Sequence, residues 1–265
     1  MPKVSILMGI YNCASTLEEA ISCLQAQTFT DWECILCDDG STDATQRLAQ
    51  SLCQKDSRIK LVCNSHNMGL AFALNHCLSQ AVGSYIARMD GDDRCPPNRL
   101  AAQVSFLEQH PEYAIVSGWM ECFDENGTYG LVRYRECPSL ENFLRGSQFC
   151  HASSMIRKDA ILSIGGYRTT PSVHRVEDYD LWIRMYEQGF RGYNLQQVLY
   201  QMRDDRNAVN RRKFRYRWNE SKLSWHIFRT LHLPLYNLPQ TAVPLIKGLL
   251  PQKFYQYLHK RKLGE

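Results

Sequence analysis

Residues 4–93 alternate short apolar runs with amphipathic stretches, and three of the apolar runs stop on polar or acidic residues. Val4 to Ile10 is rich in strand formers, and Asn12 to Ser15 supply a turn before Leu17, Ala20, Ile21 and Leu24 recur at helical spacing. Trp32 to Cys37 is a second run that ends at Asp38-Asp39-Gly40-Ser41-Thr42-Asp43, and a helix with Leu48 and Leu52 on one face follows. Ile59 to Val62 predicts a third strand, Leu70 to Ala81 a helix, and Tyr85 to Met89 a fourth strand. This rhythm predicts an α/β fold with a mostly parallel central sheet and helices on both faces. Such sheets bind ligands beyond the carboxyl ends of their strands. Here those ends carry Tyr11-Asn12, Asp38-Asp39 and Asp90-Gly91-Asp92-Asp93, so several carboxylates meet at one edge.

Farther on, Pro96-Pro97 precede a helix through Leu107, and Ala114 to Gly118 predicts another strand. Residues 119–150 read as irregular, whereas Met155 to Leu162 and Glu177 to Glu187 read as regular elements. Hydrophobic residues make up 44% of the 265-residue chain and charged residues 22%, which fits a globular protein with a sizeable core and excludes a disordered one. Eleven cysteines, an odd number without regular spacing, are expected to be reduced and mostly buried; zinc binding is the less favoured alternative. No signal peptide is recognisable and no stretch reaches the ~20 apolar residues of a membrane span, so a cytoplasmic protein is expected.

Three acidic strings carry chemistry. In Asp90-Gly91-Asp92-Asp93, close carboxylates repel one another when ionised, and a hard cation such as Mn²⁺ or Mg²⁺ relieves that repulsion. A solvated acidic turn is the plainer alternative. In Asp38-Asp39-Gly40-Ser41-Thr42-Asp43, one aspartate can cap the following helix while the other accepts hydrogen bonds from a ligand. In Glu177-Asp178-Tyr179-Asp180-Leu181-Trp182, acids at a helix start are favourable for dipole reasons alone. The same carboxylates are also candidates for a general base.

Taken in order, these strings resemble the inverting family 2 glycosyltransferases of the GT-A fold, of bacterial surface-polysaccharide type. The resemblance rests on VSILMGIYN (Val4 to Asn12), QTF (Gln27 to Phe29), DDGSTD (Asp38 to Asp43), NMGL (Asn67 to Leu70) and YIARMDGDD (Tyr85 to Asp93). Arg99-Leu100, Gly165-Gly166-Tyr167 and EDYDLWIR (Glu177 to Arg184) complete it over residues 3–200. It implies a GT-A catalytic domain over 1–200, with nucleotide-sugar binding in about 1–95 and the acceptor side in about 96–200, followed by a basic helical extension over 201–265. The implied donor is a UDP-sugar and the implied acceptor a saccharide, including a lipid-linked one. Gly9, Tyr11, Asp39, Asn67, Arg88, Asp90 and His151 fall on donor-side positions, with Tyr11 and Asp39 at the base. Asp92 matches the direct metal ligand and Asp90 its D-x-D partner, for Mn²⁺ or Mg²⁺. Asp178 matches the catalytic base, and Glu177 orients it or meets the acceptor. The Q-x-x-R-W string and membrane spans of processive relatives are missing, which implies transfer of one sugar per event.

The net charge of +4 is unevenly spread: 14 of the 31 Lys and Arg but only 4 of the 27 Asp and Glu lie between Met202 and Glu265. Arg203, Arg206, Arg211, Arg212, Lys213, Arg215 and Arg217 alternate with Phe214, Tyr216 and Trp218. Leu245, Ile246, Leu249 and Leu250, then Phe254, Tyr257 and Leu258, precede Lys260-Arg261-Lys262. This pattern suits an anionic membrane surface, and equally a helical appendage packed on the catalytic domain. Nucleic acid is not an expected partner, because no recognition module accompanies the basic residues. A nucleotidyltransferase would want a glycine-rich basic loop after the first strand, where this chain has Gly9-Ile10-Tyr11-Asn12-Cys13. A non-catalytic nucleotide-binding module is the remaining alternative.

Overall fold

The computed structural model describes residues 1–203 and 214–250. Eight strands form one mixed sheet. β1 (Val4–Ile10), β2 (Trp32–Asp38), β3 (Ile59–Cys63) and β4 (Tyr85–Arg88) are mutually parallel in the order β3-β2-β1-β4. Helices α1 (Leu17–Gln25), α2 (Thr45–Lys55) and α3 (Leu70–Gln80) make the crossovers, and α4 (Arg99–Gln109) follows β4. β1 and β2 are apolar along nearly their whole length because both faces are covered. Val4, Ile6, Met8 and Ile10 enter one core layer, and Leu7 enters the other. The alternation of β1 side chains thus divides the core.

Beyond β4 the sheet departs from the parallel pattern. β7 (Met155–Arg157) runs antiparallel to both β4 and β5 (Ile115–Asp124). The end of β5 pairs with β6 (Gly127–Val132) as a hairpin, while its opposite edge takes β8 (Gly192–Arg203) in parallel. The segment expected to be irregular therefore holds the second half of β5, all of β6 and a 3₁₀ turn at Leu140–Arg145. Register shifts on both sides of Trp119 break the alternation that would have marked β5 as long. β8 crosses position 200 and continues to Arg203, with Tyr200 fully buried.

α5 (Lys158–Ser163) and α6 (Glu177–Glu187) contribute to one core layer, and α7 (Phe214–Thr230) packs against α6 with Ile227 and Phe228 in that layer. α8 (Leu238–Leu249) lies against α7; a Cβ on Gly248 would approach Phe214 to 3.1 Å. Of the basic and aromatic tail, Arg206, Arg211, Arg212, Lys213 and everything from Phe254 to Lys262 lie outside the described residues.

All eleven cysteines are free, and six are buried. Cys34 and Cys37 do form one C-x-x-C string, against the expectation of irregular spacing. They sit on β2 and enter opposite core layers, so the strand itself keeps them apart.

Candidate active site

The site begins where β1 and β2 end. The backbone N–H of Asp39 bonds to Ile10 O at 2.9 Å, which ties the two strand ends together. The buried Asp39 carboxylate accepts from Asn64 Nδ2 at 2.7 Å and from the backbone N–H groups of Met68 and Gly69 at 2.9 and 2.8 Å. The DDGSTD and NMGL strings are thus two halves of one hydrogen-bonded unit. Asp38 is the turn-forming partner, accepting from Ser41 N at 3.3 Å. Gly40 has φ +75, and a Cβ there would lie 2.7 Å from the carbonyl carbon of His66. Gly9 lets α3 approach the end of β1, since its Cβ would meet Leu70 Cδ1 at 3.0 Å.

A cavity of about 690 Å³ opens at this edge. One side is Gly9, Tyr11, Asp39 and the Asn67–Gly69 loop; the other is the 168–175 segment, Glu177 and the first turn of α7. Tyr11 and Asn67 are exposed to it.

Beside β4 lies the acidic string. Carboxylate oxygens of Asp90, Asp92 and Asp93 come within 4.8 Å of one another. Asp93 is already committed: it is buried, and it accepts from Tyr200 Oη at 2.8 Å and from Arg203 N at 2.7 Å. Asp90 pairs with the buried guanidinium of Arg88, whose Nε has no hydrogen-bond partner among the described residues. Asp92 reaches solvent at the surface, yet local desolvation, and then the charge of Asp90, push its carboxyl above the ordinary range. Two repelling carboxylates, Asp92 facing solvent and Asp90 held by Arg88, form a hard oxygen donor set whose chemistry fits Mg²⁺ or Mn²⁺.

The third part is the start of α6. Asp178 is pushed up to about 6, first by burial and then by the charge of Glu177; backbone N–H groups of the first turn and the charge of Arg88 oppose the shift. Burial lowers His151 well below the usual imidazole range, and Arg88 adds to the shift. Its Nε2 bonds to Tyr167 Oη at 2.8 Å, and its ring meets Trp182 edge-on. The Tyr167 hydroxyl is raised by burial, with Asp178, Glu177 and Asp90 adding to the effect against Arg88. Arg88 is therefore the positive centre around which Asp90, Asp92, His151, Tyr167 and Asp178 gather.

The sequence-predicted residues divide into two neighbouring groups. Gly9, Tyr11, Asp39, Asn67 and Glu177 line the cavity. Arg88, Asp90, Asp92, Asp178 and His151 lie outside its lining, and Glu177 joins the groups through its neighbour Asp178.

Several motif residues prove to be scaffolding. The buried Arg99 donates to Arg88 O at 2.6 Å and Ala152 O at 3.3 Å. Gln27 accepts from Leu100 N at 3.0 Å and donates to Pro96 O at 2.8 Å. Buried Asp180 accepts from Arg184 Nε at 2.7 Å, while Arg184 holds Ile164 O and Gly166 O at 2.8 Å each. Tyr200, Arg168 and Arg175 escape a sequence reading, since only the fold brings them to the site.

Comparison with known proteins shows the family and the fold. The family profile "Glycosyl transferase family 2" matches residues 5–164, and "Glycosyl transferase family group 2" matches residues 85–258. EpsE of Bacillus subtilis (strain 168), described as a glycosyltransferase, is 45% identical over 263 residues, covering 99% of this chain and 95% of that one. The UDP-Gal:alpha-D-GlcNAc-diphosphoundecaprenol beta-1,3-galactosyltransferase of Escherichia coli is 30% identical over 269 residues, covering 98% and 96%. Among solved structures, the mannosyltransferase PcManGT from Pyrobaculum calidifontis, in complex with GDP-Man and Mn²⁺, superposes with a TM-score of 0.66 at 20% identity, covering 98% of this chain and 80% of that one. At that identity the likeness is one of fold, and the fold is GT-A.

Proposed function

The chain belongs to glycosyl transferase family 2, and we propose that it transfers one sugar per event, with inversion, from a UDP-sugar to the hydroxyl of a lipid-linked saccharide. The observation that carries this reading is Asp178, a carboxyl raised to about 6 at the start of α6, beside Glu177 and within the field of Arg88. A carboxylate poised in that range is a competent base near neutrality. Asp178 takes the proton of the attacking hydroxyl. Glu177, which faces the cavity, orients the acceptor. Tyr11 and Asp39 hold the base, with Gly9 and Asn67 completing the wall. Arg88, buried behind Asp90, would act on the leaving diphosphate through its positive field. His151, bonded to Tyr167, is neutral and serves there as a polar wall.

Asp92 and Asp90 would hold Mn²⁺ or Mg²⁺, which supplies positive charge to the departing diphosphate. The preference for UDP draws on the Escherichia coli relative, whose name gives UDP-Gal as donor and a diphosphoundecaprenol-linked acceptor.

No helix among the described residues is long and apolar enough to cross a membrane. Membrane contact is instead assigned to the α7–α8 hairpin at the cytoplasmic face. There Leu235, Tyr236, Ile246 and Leu249 are 78%, 78%, 56% and 75% exposed, with Lys222, Arg229 and Lys247 on the same two helices. Exposed apolar groups flanked by cations suit an anionic interface.

The testing experiment is calorimetric titration of UDP, with and without Mn²⁺, into wild type and Asp92→Ala. Mn²⁺-dependent binding that Asp92→Ala abolishes is the expected result. Absence of UDP binding by folded wild type would overturn the donor assignment.

A further inference from the structure

The far wall of the cavity carries cations that the transfer chemistry does not use. Arg168, Arg175 and Arg215 all line it, together with His174 and the half-exposed Trp218. Arg168 pairs with Asp180 at 3.1 Å, a carboxylate it shares with Arg184. Among the described residues Arg175 has no carboxylate partner, and Arg215 bonds to neutral groups, His174 Nδ1 at 3.4 Å and Tyr216 Oη at 3.2 Å. Both sit close to His174, whose pKa is lowered by partial burial and then by these two charges. The arrangement is built rather than incidental. Asn219, buried on α7, donates to Pro171 O at 3.2 Å and His174 O at 3.3 Å, which fixes the loop bearing Arg175 against the helix bearing Arg215. Arg175 itself is held at φ +67, a backbone region that costs free energy for a branched or long side chain.

Two guanidinium groups on one cavity wall, neither bonded to a carboxylate among the described residues, repel each other and are relieved by a ligand of matching negative charge. Their forked donors suit phosphate oxygens. We propose that Arg175 and Arg215 bind a phosphate group carried by the acceptor, with Trp218 as the wall for the sugar attached to it. This rests on the glycosyltransferase reading above. Asp90 and Asp92 do not line this cavity, so a donor with its base on Tyr11 and Asp39 and its diphosphate toward the acidic string leaves the far wall free. Glu177 lies on that wall, which puts the phosphate beside the proposed base.

The test titrates inorganic pyrophosphate into the full chain by calorimetry with Mg²⁺ present, with and without saturating UDP. Wild type is compared with the double variant Arg175→Asn/Arg215→Gln; asparagine tolerates the positive φ. Pyrophosphate is expected to bind in the presence of UDP, and the double variant to weaken it by about tenfold or more, the usual loss for charged hydrogen bonds. UDP affinity should stay within about twofold, since these groups do not touch the donor in this reading. If the variant loses UDP and pyrophosphate affinity together, or UDP displaces pyrophosphate from wild type, the arginines serve the donor diphosphate and the proposal is overturned. Co-sedimentation with phosphatidylcholine vesicles containing phosphatidylglycerol separates the other source of phosphate. Equal binding of wild type and variant supports the acceptor site; loss in the variant assigns the arginines to lipid headgroups and overturns it. Failure of wild type to bind UDP would sink the donor reading alone, because pyrophosphate without UDP still reads the cluster.

Discussion

The hydroxyl of Tyr200 donates to Asp93 Oδ2 at 2.8 Å and accepts from the backbone N–H of Asp90 at 3.0 Å. A residue of β8 thereby fixes the shape of an acidic turn more than a hundred positions earlier in the chain. Burial, and then the charges of Asp90 and Asp92, already push Asp93 well above the usual carboxylate range. Tyr200→Phe should cost about 1–3 kcal/mol, as expected when a buried acceptor loses its donor. Thermal unfolding of the variant checks this, and a Mn²⁺ titration should reveal weaker binding as the turn relaxes.

Replacing the proposed base should separate binding from chemistry. Asp178→Asn is expected to lower turnover by about 10²–10⁴-fold, the usual contribution of a positioned base. UDP affinity should be nearly unchanged. Single-turnover kinetics beside a UDP titration is the measurement, and near-normal turnover would remove Asp178 from its role.

The raised pKa of Asp178 gives a pH dependence with a definite sign. The base works as a carboxylate, so kcat/KM should fall as pH drops through about 6. Stability runs the other way. A carboxyl whose folded pKa lies above its unfolded value stabilises the fold most below the unfolded pKa of 3.8, and that contribution disappears as pH rises through about 6. Asp178→Asn should therefore melt higher than wild type at neutral pH. A melting series across pH 4–8 tests the linkage.

Gly40→Ala probes the link between the two donor-side strings. With φ +75 and a Cβ forced to 2.7 Å from His66 backbone, the turn must move. The Asn67–Gly69 loop held by Asp39 should move with it. Weaker UDP binding with retained secondary structure is the expected outcome, read by calorimetry and circular dichroism.

Breaking the buried Asp180–Arg184 pair should be severe. Asp180→Ala strands a buried guanidinium and is expected to cost about 3–5 kcal/mol. Denaturant unfolding measures it directly. A loss below about 1 kcal/mol would mean that the carbonyls of Ile164 and Gly166 suffice to hold Arg184.

The parallel half of the sheet was legible because β1 to β4 are local apolar runs punctuated by turns, and periodicity is a local signal. β5 beyond Gly118, β6 and β8 were not, since they are specified by pairing across the chain. β8 contains Gln196, Gln197 and Gln201, and only its contacts with β5 and the burial of Leu199 and Tyr200 mark it as a strand. The acidic strings could be recognised in sequence, but their division of labour could not. Asp93 reads like a third ligand until Tyr200 and Arg203 are seen to occupy its oxygens. Asp39 reads like a ligand alone until the Asn64–Gly69 segment is seen to hang from it as well.

Asn219 on α7 grips the loop that leads into Glu177 and Asp178, while the proposed donor edge is built from β1, β2, β4, their turns and the Asn64–Gly69 segment, with Tyr200 of β8 bracing the acidic turn. In the proposed reading, donor chemistry and acceptor choice rest largely on different parts of the chain. Drift in the helices after β8 would then retune which saccharide is extended while the sheet keeps its nucleotide chemistry. One scaffold of this kind can diversify into the successive steps of a polymer assembly line without reinventing its catalytic machinery.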